Sequence, residues 1–546
     1  MKYEVPVRVT CVVLSLALAA CGRGSVTSPP SGALILNIQA NSAAVSWFMK
    51  SAGMFNGLGL KTKTGRVVWA EVSSVESGAA VATMVTKARP DLWVPDSQVW
   101  ADLAALNGIK MFQGDCVDTA VSPLVIAMHK PIADALGYPA RSLGWLDLGS
   151  LAGDASAWQY YSGGQFGKTL RFAHAHPGIS GSGASALLAV VQAAKQQQQP
   201  VTAADIKQPV VQASLSAFES NIALFGSSTE QLAGVMVSRS IEYLGAAVLY
   251  ESSIAAMGRD SDIVPVYPLE GTFMATHPAC VNSAATAESQ EAAVLFRTWL
   301  LSDKGQTLAA AAGFRPVSQS VKPTALTPDR GFDLAMPKLV LAPPAADSIV
   351  ALQESWKAAR KPINLVMVLD VSGSMAGAKI TGMRSAAAQF VEQLANDDQL
   401  TLISFSTNIN TLITAQRIET IRTTASSTIR GLQAGGNTAL YDAVAAGQDA
   451  IKKTNSPRRT NIIVFLTDGN DTSSKSWKFD QKLLDYAKQN STSVYTIGYG
   501  TDADFDKLNS IAQATNGSYY AGDAANIGAI YQDMSTAFGG GGGIGR

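Results

Sequence analysis

Charge, histidine and cysteine are all scarce in this chain of 546 residues. Only 15% of the side chains are charged, and Lys+Arg and Asp+Glu both number 42, so the formal net charge is zero. With no basic stripe either, there is no electrostatic case for nucleic acid, and none is expected as a partner. The histidines number four, and two of them stand together as His174-Ala175-His176. On a strand both would point to one face. No cysteine or acid lies nearby at ligand spacing, so packing around a cleft is a better reading than zinc. The chain has no G-x-S-x-G, no H-E-x-x-H and no Cys/His set suited to nucleophilic catalysis, and it is not expected to be an enzyme. Apolar runs of membrane-spanning length are missing too: the run 9–20 is too short to cross a bilayer.

What is present is a globular composition, 47% hydrophobic, on a chain long enough for two to four domains. Lys2 and Arg8 precede the apolar run 9–20, which ends Leu18-Ala19-Ala20-Cys21. Those four residues resemble the lipobox of bacterial lipoproteins. The resemblance implies a signal peptide over 1–20, a lipid on Cys21, and a cell-membrane location on the extracytoplasmic face. An ordinary secretory signal is the alternative. The stretch 21–32 then reads as a flexible, lipid-anchored tether. Of the four cysteines, Cys11 leaves with the signal and Cys21 is the anchor. Cys116 and Cys280 remain, and in an oxidising compartment they can pair as a disulfide; two buried free thiols are the alternative.

The C-terminal half is organised around INLVMVLDVSGSM, 363–375. Its apolar, β-branched start has the length and composition of a buried parallel strand. The strand ends on Asp370, and Ser372 and Ser374 follow at alternate positions across Gly373. A helical pattern begins near Lys379. Downstream, the Gly-rich loop 435–438 offers Thr438 before a helix over 439–453, and a second apolar run, 462–467, ends in Asp468-Gly469. One carboxylate and two hydroxyls at a strand's C-terminal edge, joined by a further hydroxyl and a further carboxylate, form a hard oxygen set. It suits a divalent cation, Mg²⁺ first, with Mn²⁺ or Ca²⁺ as alternatives.

Asp370, Ser372, Ser374, Thr438 and Asp468 match the D-x-S-x-S, T, D pattern of the metal-ion-dependent adhesion site. Over 362–538 the sequence resembles the von Willebrand factor A domain. The resemblance implies a Rossmann-like fold in which Ser372, Ser374 and Thr438 touch the cation. Asp370 and Asp468 would bind it directly or through water, and an acidic side chain from a protein partner would complete the shell.

The N-terminal half alternates strands with helices, which implies βαβ units. The phrases DLWVPD, SPLVIAMHKPIADALGYP, FAHAHPGISGSG, YPLEGTF and GFRP look like those of type II extracellular solute-binding proteins of ABC transport. The resemblance covers 33–341 and implies two α/β lobes closing on a ligand, lobe I over 33–115 plus 270–341 and lobe II over 120–264. The hinge would lie at 116–122 and 263–270. Candidate ligand-binding residues are those that helix N-termini and strand ends would present. Ser180, Gly181 and Ser182 stand first, then Ser42, then Asp96, Ser97 and Ser122. Glu251 falls in a stretch, 241–256, read as partly helical. A small oxyanion and a polar metabolite both fit such a set.

The expected class is therefore α/β: a two-lobed periplasmic-binding-protein-like domain, a helical linker over 342–361, a Rossmann-like von Willebrand factor A domain and a Gly-rich tail over 539–546. The expected function is a membrane-anchored binding protein that captures a small solute in its cleft and a protein partner through the metal. The alternative is the substrate receptor of an ABC-type transporter, with the C-terminal domain as docking accessory.

Overall fold

The structure is a computed structural model. It describes residues 28–540 apart from 88, 197, 198 and 221, so the leader, Cys21 and most of the Gly-rich tail lie outside the described residues. Three sheets carry the described residues. The first has Val68–Ser74, Leu34–Ala40 and Leu92–Val94 in parallel, then Pro278–Val281 and Cys116–Asp118 antiparallel at the other edge. Its core holds Trp47, Phe48, Phe55 and Phe296. The second sheet is built on Ala120–His129, a long strand buried along nearly its whole length. Ala246–Tyr250, Phe172–Ala175 and Ile222–Gly226 follow it in order.

The stretch 241–256 holds both the expected helix, Glu251–Ala256, and a strand before it. Ala246–Tyr250, AAVLY, is a fully buried central strand inside 241–256. Its two alanines carry no β-branched signal, and only pairing on both sides makes it a strand. Ile222–Gly226 follows the helix Pro209–Glu219 and pairs with Phe172–Ala175.

The first crossing between lobes falls within the expected 116–122, and the second does not fall within 263–270. The chain crosses at Thr119, then at Thr276-His277, between Met274–Ala275 on the second sheet and Pro278–Val281 on the first. Ile263–Val266 pairs with Ala120–His129 and belongs inside lobe II, not to a hinge. Leu326 and Phe332 pack with Tyr243 and Tyr267, so the end of the expected lobe I segment covers lobe II instead. Cys116 and Cys280 face each other on neighbouring strands and are joined by a disulfide, with Cα atoms 4.0 Å apart.

The third sheet is the C-terminal one, ordered Ile409–Arg417, Gln399–Phe405, Ile363–Asp370, Thr460–Thr467, Ser493–Tyr499, Tyr519–Gly522. All neighbours are parallel except the first pair. Ile363–Asp370 is central and buried at every position, which is why it reads as an unbroken apolar run.

The linker helix Ala346–Ala359 packs on Val99–Leu106 of lobe I and on Gly181–Lys195, Ala203–Ile206 and Pro209–Glu219 of lobe II. Its Trp356 ring lies 4.6 Å from His176 and 5.2 Å from Phe225. One residue past the helix, Arg360 enters the C-terminal domain and meets the buried carboxylate of Asp398 at 2.8 Å. That domain also rests on lobe II, where Arg239 reaches the Gly517 carbonyl and the Ser518 hydroxyl.

Candidate functional site

At the C-terminal edge of the third sheet, the strand Ile363–Asp370 delivers Asp370 fully buried. Its Oδ1 accepts the Ser372 N–H at 2.7 Å and its Oδ2 accepts the Thr467 hydroxyl at 2.5 Å. The serine turn is folded back on itself, Ser372 Oγ to Ser374 Oγ 3.1 Å, and Ser374 donates to Asp468 Oδ1 at 2.7 Å. Backbone bonds from Gly373 N–H to the Gly436 carbonyl and from Gly435 N–H to the Val371 carbonyl staple the Gly-rich loop against this turn. Thr438 is pinned by Thr472, whose hydroxyl accepts its N–H at 2.9 Å. A Cβ on Gly469 would lie 3.8 Å from Ser374 Oγ and 3.9 Å from Thr438 Oγ1, so the two hydroxyls face one spot.

All five expected residues thus come from three loops to one edge. Burial holds the Asp370 carboxyl above its ordinary range, and the nearby charge of Asp468 adds to this against the hydroxyls of Thr467 and Ser372. Hydroxyls and buried carboxylates of this kind fit a hard divalent ion. Among the described residues no group of three or more His, Cys, Asp or Glu forms a metal cluster; here hydroxyls supply most of the donors. Sequence reasoning missed Lys379, whose ammonium lies 2.6 Å from Asp468 Oδ2. The sequence marked it only as the start of a helix.

The second site lies between the lobes. The Ser42 hydroxyl, at the start of helix Ser42–Asn56, touches the carboxylates of both Glu76 and Glu230. Glu230 also accepts the Thr229 and Ser253 hydroxyls, at 2.8 and 2.9 Å. Asp96 is buried and accepts Ser77 Oγ at 2.8 Å and Tyr250 Oη at 2.5 Å. Ser180 and Ser182 are 2.9 Å apart at the start of Gly181–Lys195. Gly181 between them presses on Asp96: a Cβ would fall 1.9 Å from Asp96 Oδ2. The Ala79 N–H donates to the Ile179 carbonyl across the same gap at 3.1 Å. Asp96 and Ser97 line an adjoining cavity of about 180 Å³ with Trp100, Tyr250, Phe273 and Ile349.

Burial pushes the Glu76 carboxyl up to about 8, helped by the charges of Glu230 and Asp96 and opposed by the Ser180 and Ser42 hydroxyls. Burial likewise raises Asp96, against the hydroxyls of Tyr250 and Ser77.

Two expected ligand residues lie elsewhere. Both oxygens of Glu251 are taken by Arg315, at 2.7 Å each, and Tyr267 adds a third bond, so Glu251 is part of a buried ion pair. Ser122 Oγ accepts the Ser252 N–H at 3.0 Å and donates to the Ser252 hydroxyl at 3.1 Å, beside the crossover. The carboxylates of Glu76 and Glu230 went unread because a glutamate ahead of a helix or in its first turn also serves the helix dipole. His174 is held between Glu219 and the Ala175 carbonyl, and His176 packs on Trp356, as structural histidines do.

Comparison with known proteins divides the chain at the same place. Residues 60–315 match the family described as bacterial extracellular solute-binding protein, and residues 364–533 match the von Willebrand factor type A domain. An uncharacterized protein of Synechocystis sp. is 33% identical over 29% of this chain and 37% of its own length. Inter-alpha-trypsin inhibitor heavy chain H4 of Bos taurus is 31% identical over 29% of this chain and 18% of its own. The chain thus spans well under half the length of the curated relatives it matches. Among solved structures, the sulfate-binding protein SubI of Mycobacterium tuberculosis is 20% identical, covering 52% of this chain and 88% of that one, with a TM-score of 0.39.

Both families are typically binding or adhesion modules. An extracellular solute-binding domain implies an extracytoplasmic location, and among the described residues no helix is long and apolar enough to cross a membrane. The chain is a fusion of two families, an extracellular solute-binding domain followed by a von Willebrand factor type A domain.

Proposed function

We propose that this protein is an extracytoplasmic receptor, anchored to the membrane by a lipid on Cys21, with two recognition sites on one chain. Residues 33–341 capture a small solute between their lobes. Residues 362–538 bind a protein partner through a divalent cation. The observation that carries the second half is the meeting of Ser372, Ser374, Thr438, Asp370 and Asp468 at one sheet edge. The serine and threonine hydroxyls would hold the ion, and the two aspartates would offset its charge. Mg²⁺ suits that set, and Mn²⁺ or Ca²⁺ are accommodated by the same donors. A bound ion supplies an open, Lewis-acidic position, which an acidic side chain of the partner fills.

For the cleft, charge narrows the class of solute. The charges that act most strongly on Glu76 are other carboxylates, and the hydroxyls of Ser42 and Ser180 are already turned to it. Such a site favours a solute that brings positive charge or many hydrogen donors, and it disfavours a free oxyanion. Ser42, Asp96, Ser97, Ser180, Gly181 and Ser182 would contact the solute, with Glu76 and Glu230.

Calorimetric titration of the exported chain with MnCl₂ to millimolar concentration tests the metal face. Uptake at one site that Asp370→Ala and Thr438→Ala both remove supports the reading, and no uptake overturns it. A thermal-shift screen of amines, amino acids and oxyanions tests the cleft, since a ligand of the folded state raises its melting midpoint. Stabilisation by oxyanions alone overturns the cationic class.

A further inference from the structure

Lys379 stands in the first turn of helix Ala378–Gln393 and turns back over the metal face. Its Nζ is 2.6 Å from Asp468 Oδ2, while Asp468 Oδ1 takes the Ser374 hydroxyl at 2.7 Å. Asp468 is fully buried, so an ammonium and a hydroxyl between them engage both oxygens of a carboxylate that belongs to the proposed donor set. The same Nζ lies 3.9 Å from Asp502 Oδ2, on the loop that follows Ser493–Tyr499, where the Asp502 side chain is 79% exposed. Gly500 leaves room beneath the lysine stem: a Cβ there would meet Lys379 Cε at 3.5 Å, and its φ of +90° suits glycine.

We propose that Lys379 is a tethered counter-cation of the metal face. Its ammonium neutralises Asp468, a divalent ion has to compete with it, and Asp502 is the place to which it withdraws. The inference rests on the metal-site reading above. Its consequence follows from charge. With Asp370 and Asp468 alone, a doubly charged ion is fully neutralised, and an incoming carboxylate adds net negative charge. With Lys379 present, and Asp502 screened by solvent at 79% exposure, the ion leaves about one positive charge in excess, and a partner's carboxylate cancels it. A desolvated excess charge is costly, so the lysine weakens the ion held alone and strengthens the ion held together with an acid. By linkage, ion and acidic ligand then raise each other's affinity by the same factor. The lysine thus turns a site that would simply store metal into one that loads when a partner arrives.

The test is calorimetric titration of the full exported chain with MnCl₂, with and without sodium acetate as the carboxylate probe. Wild type, Lys379→Met, Lys379→Gln and Asp502→Asn are compared, each checked for folding by circular dichroism. Without acetate, both lysine variants are expected to bind Mn²⁺ about tenfold more tightly than wild type, in line with one neighbouring unit charge in a partly buried site. Acetate should tighten Mn²⁺ binding by wild type and leave the lysine variants nearly unchanged. Asp502→Asn should weaken Mn²⁺ binding. Equal Mn²⁺ affinity in wild type and both lysine variants overturns the inference and leaves the metal site standing. Absence of Mn²⁺ uptake in every protein, the lysine variants included, overturns the metal site and the inference together. An affinity unchanged by Asp502→Asn removes the withdrawal step.

Discussion

The cleft and the metal face use the same materials in opposite ways. Both gather buried carboxylates and serine hydroxyls beside helix starts. In the cleft burial and then the neighbouring carboxylates push Glu76 up to about 8. On the metal face an ammonium is laid directly on Asp468. The cleft exists only where two lobes meet, through Tyr250 on Asp96 and Ser42 on Glu230. The metal face is assembled by neighbouring strands of a single sheet. Carboxylate chemistry is therefore set by what stands opposite, and a site spread over two lobes is the more easily broken.

The largest effect should come from the cross-link of lobe I. The disulfide Cys116–Cys280 closes a separation of 164 residues. Replacing both cysteines by serine should cost the solute-binding domain about 5 kcal/mol on the chain-entropy account. Denaturant unfolding should show that loss in the N-terminal transition, with Mn²⁺ uptake by the other domain unchanged. Trp356→Ala comes next. The ring is buried between His176, Phe225 and the linker helix, and its removal should cost roughly 3–5 kcal/mol. If Mn²⁺ affinity falls along with stability, the two sites are coupled through the linker and their separation fails.

Thr438→Ala acts on the metal face alone. With its hydroxyl holding the ion directly as proposed, the substitution should lower Mn²⁺ affinity by more than the roughly 10–100-fold that an outer partner costs, while the melting of the solute-binding domain stays where it was. Glu76→Gln gives the most diagnostic change. Between the ordinary carboxyl value of 4.5 and about 8, the folded domain keeps a proton on Glu76 that the unfolded chain has released. Stability is therefore greater at acid pH on this account and is lost as pH rises through about 8. Burial holds His176 and His277 near 3, which pulls the other way below 6.5, since both must charge on unfolding in acid. The difference in melting midpoint between Glu76→Gln and wild type isolates the carboxyl. It should grow from pH 5 to pH 8, and a flat difference would place Glu76 in contact with a cation that the cleft holds.

The two aspartates of the C-terminal site were readable because each stands at the end of its own strand. A parallel strand buried on both faces leaves an unbroken apolar run, and a polar residue at its end marks the sheet edge, as Asp370 and Asp468 do. The three hydroxyls of the proposed donor set were legible from the serine turn and the Gly-rich loop beside those strand ends, and so was the succession of elements from 363 onward. The pairing of Cys116 with Cys280 was open to simple arithmetic. Tertiary structure alone decided the rest. Ala246–Tyr250 is a strand because both neighbours pair with it, while its composition says little. Glu251 is claimed by Arg315, a residue 64 positions away. Glu76 and Glu230 meet at Ser42 only when the lobes close, and Lys379 reaches Asp468 across 89 positions. The physical reason is common to all four. Hydrophobic periodicity reports which side of an element is buried, but the partner that a buried polar group finds is fixed by contacts between distant segments, which no local pattern records.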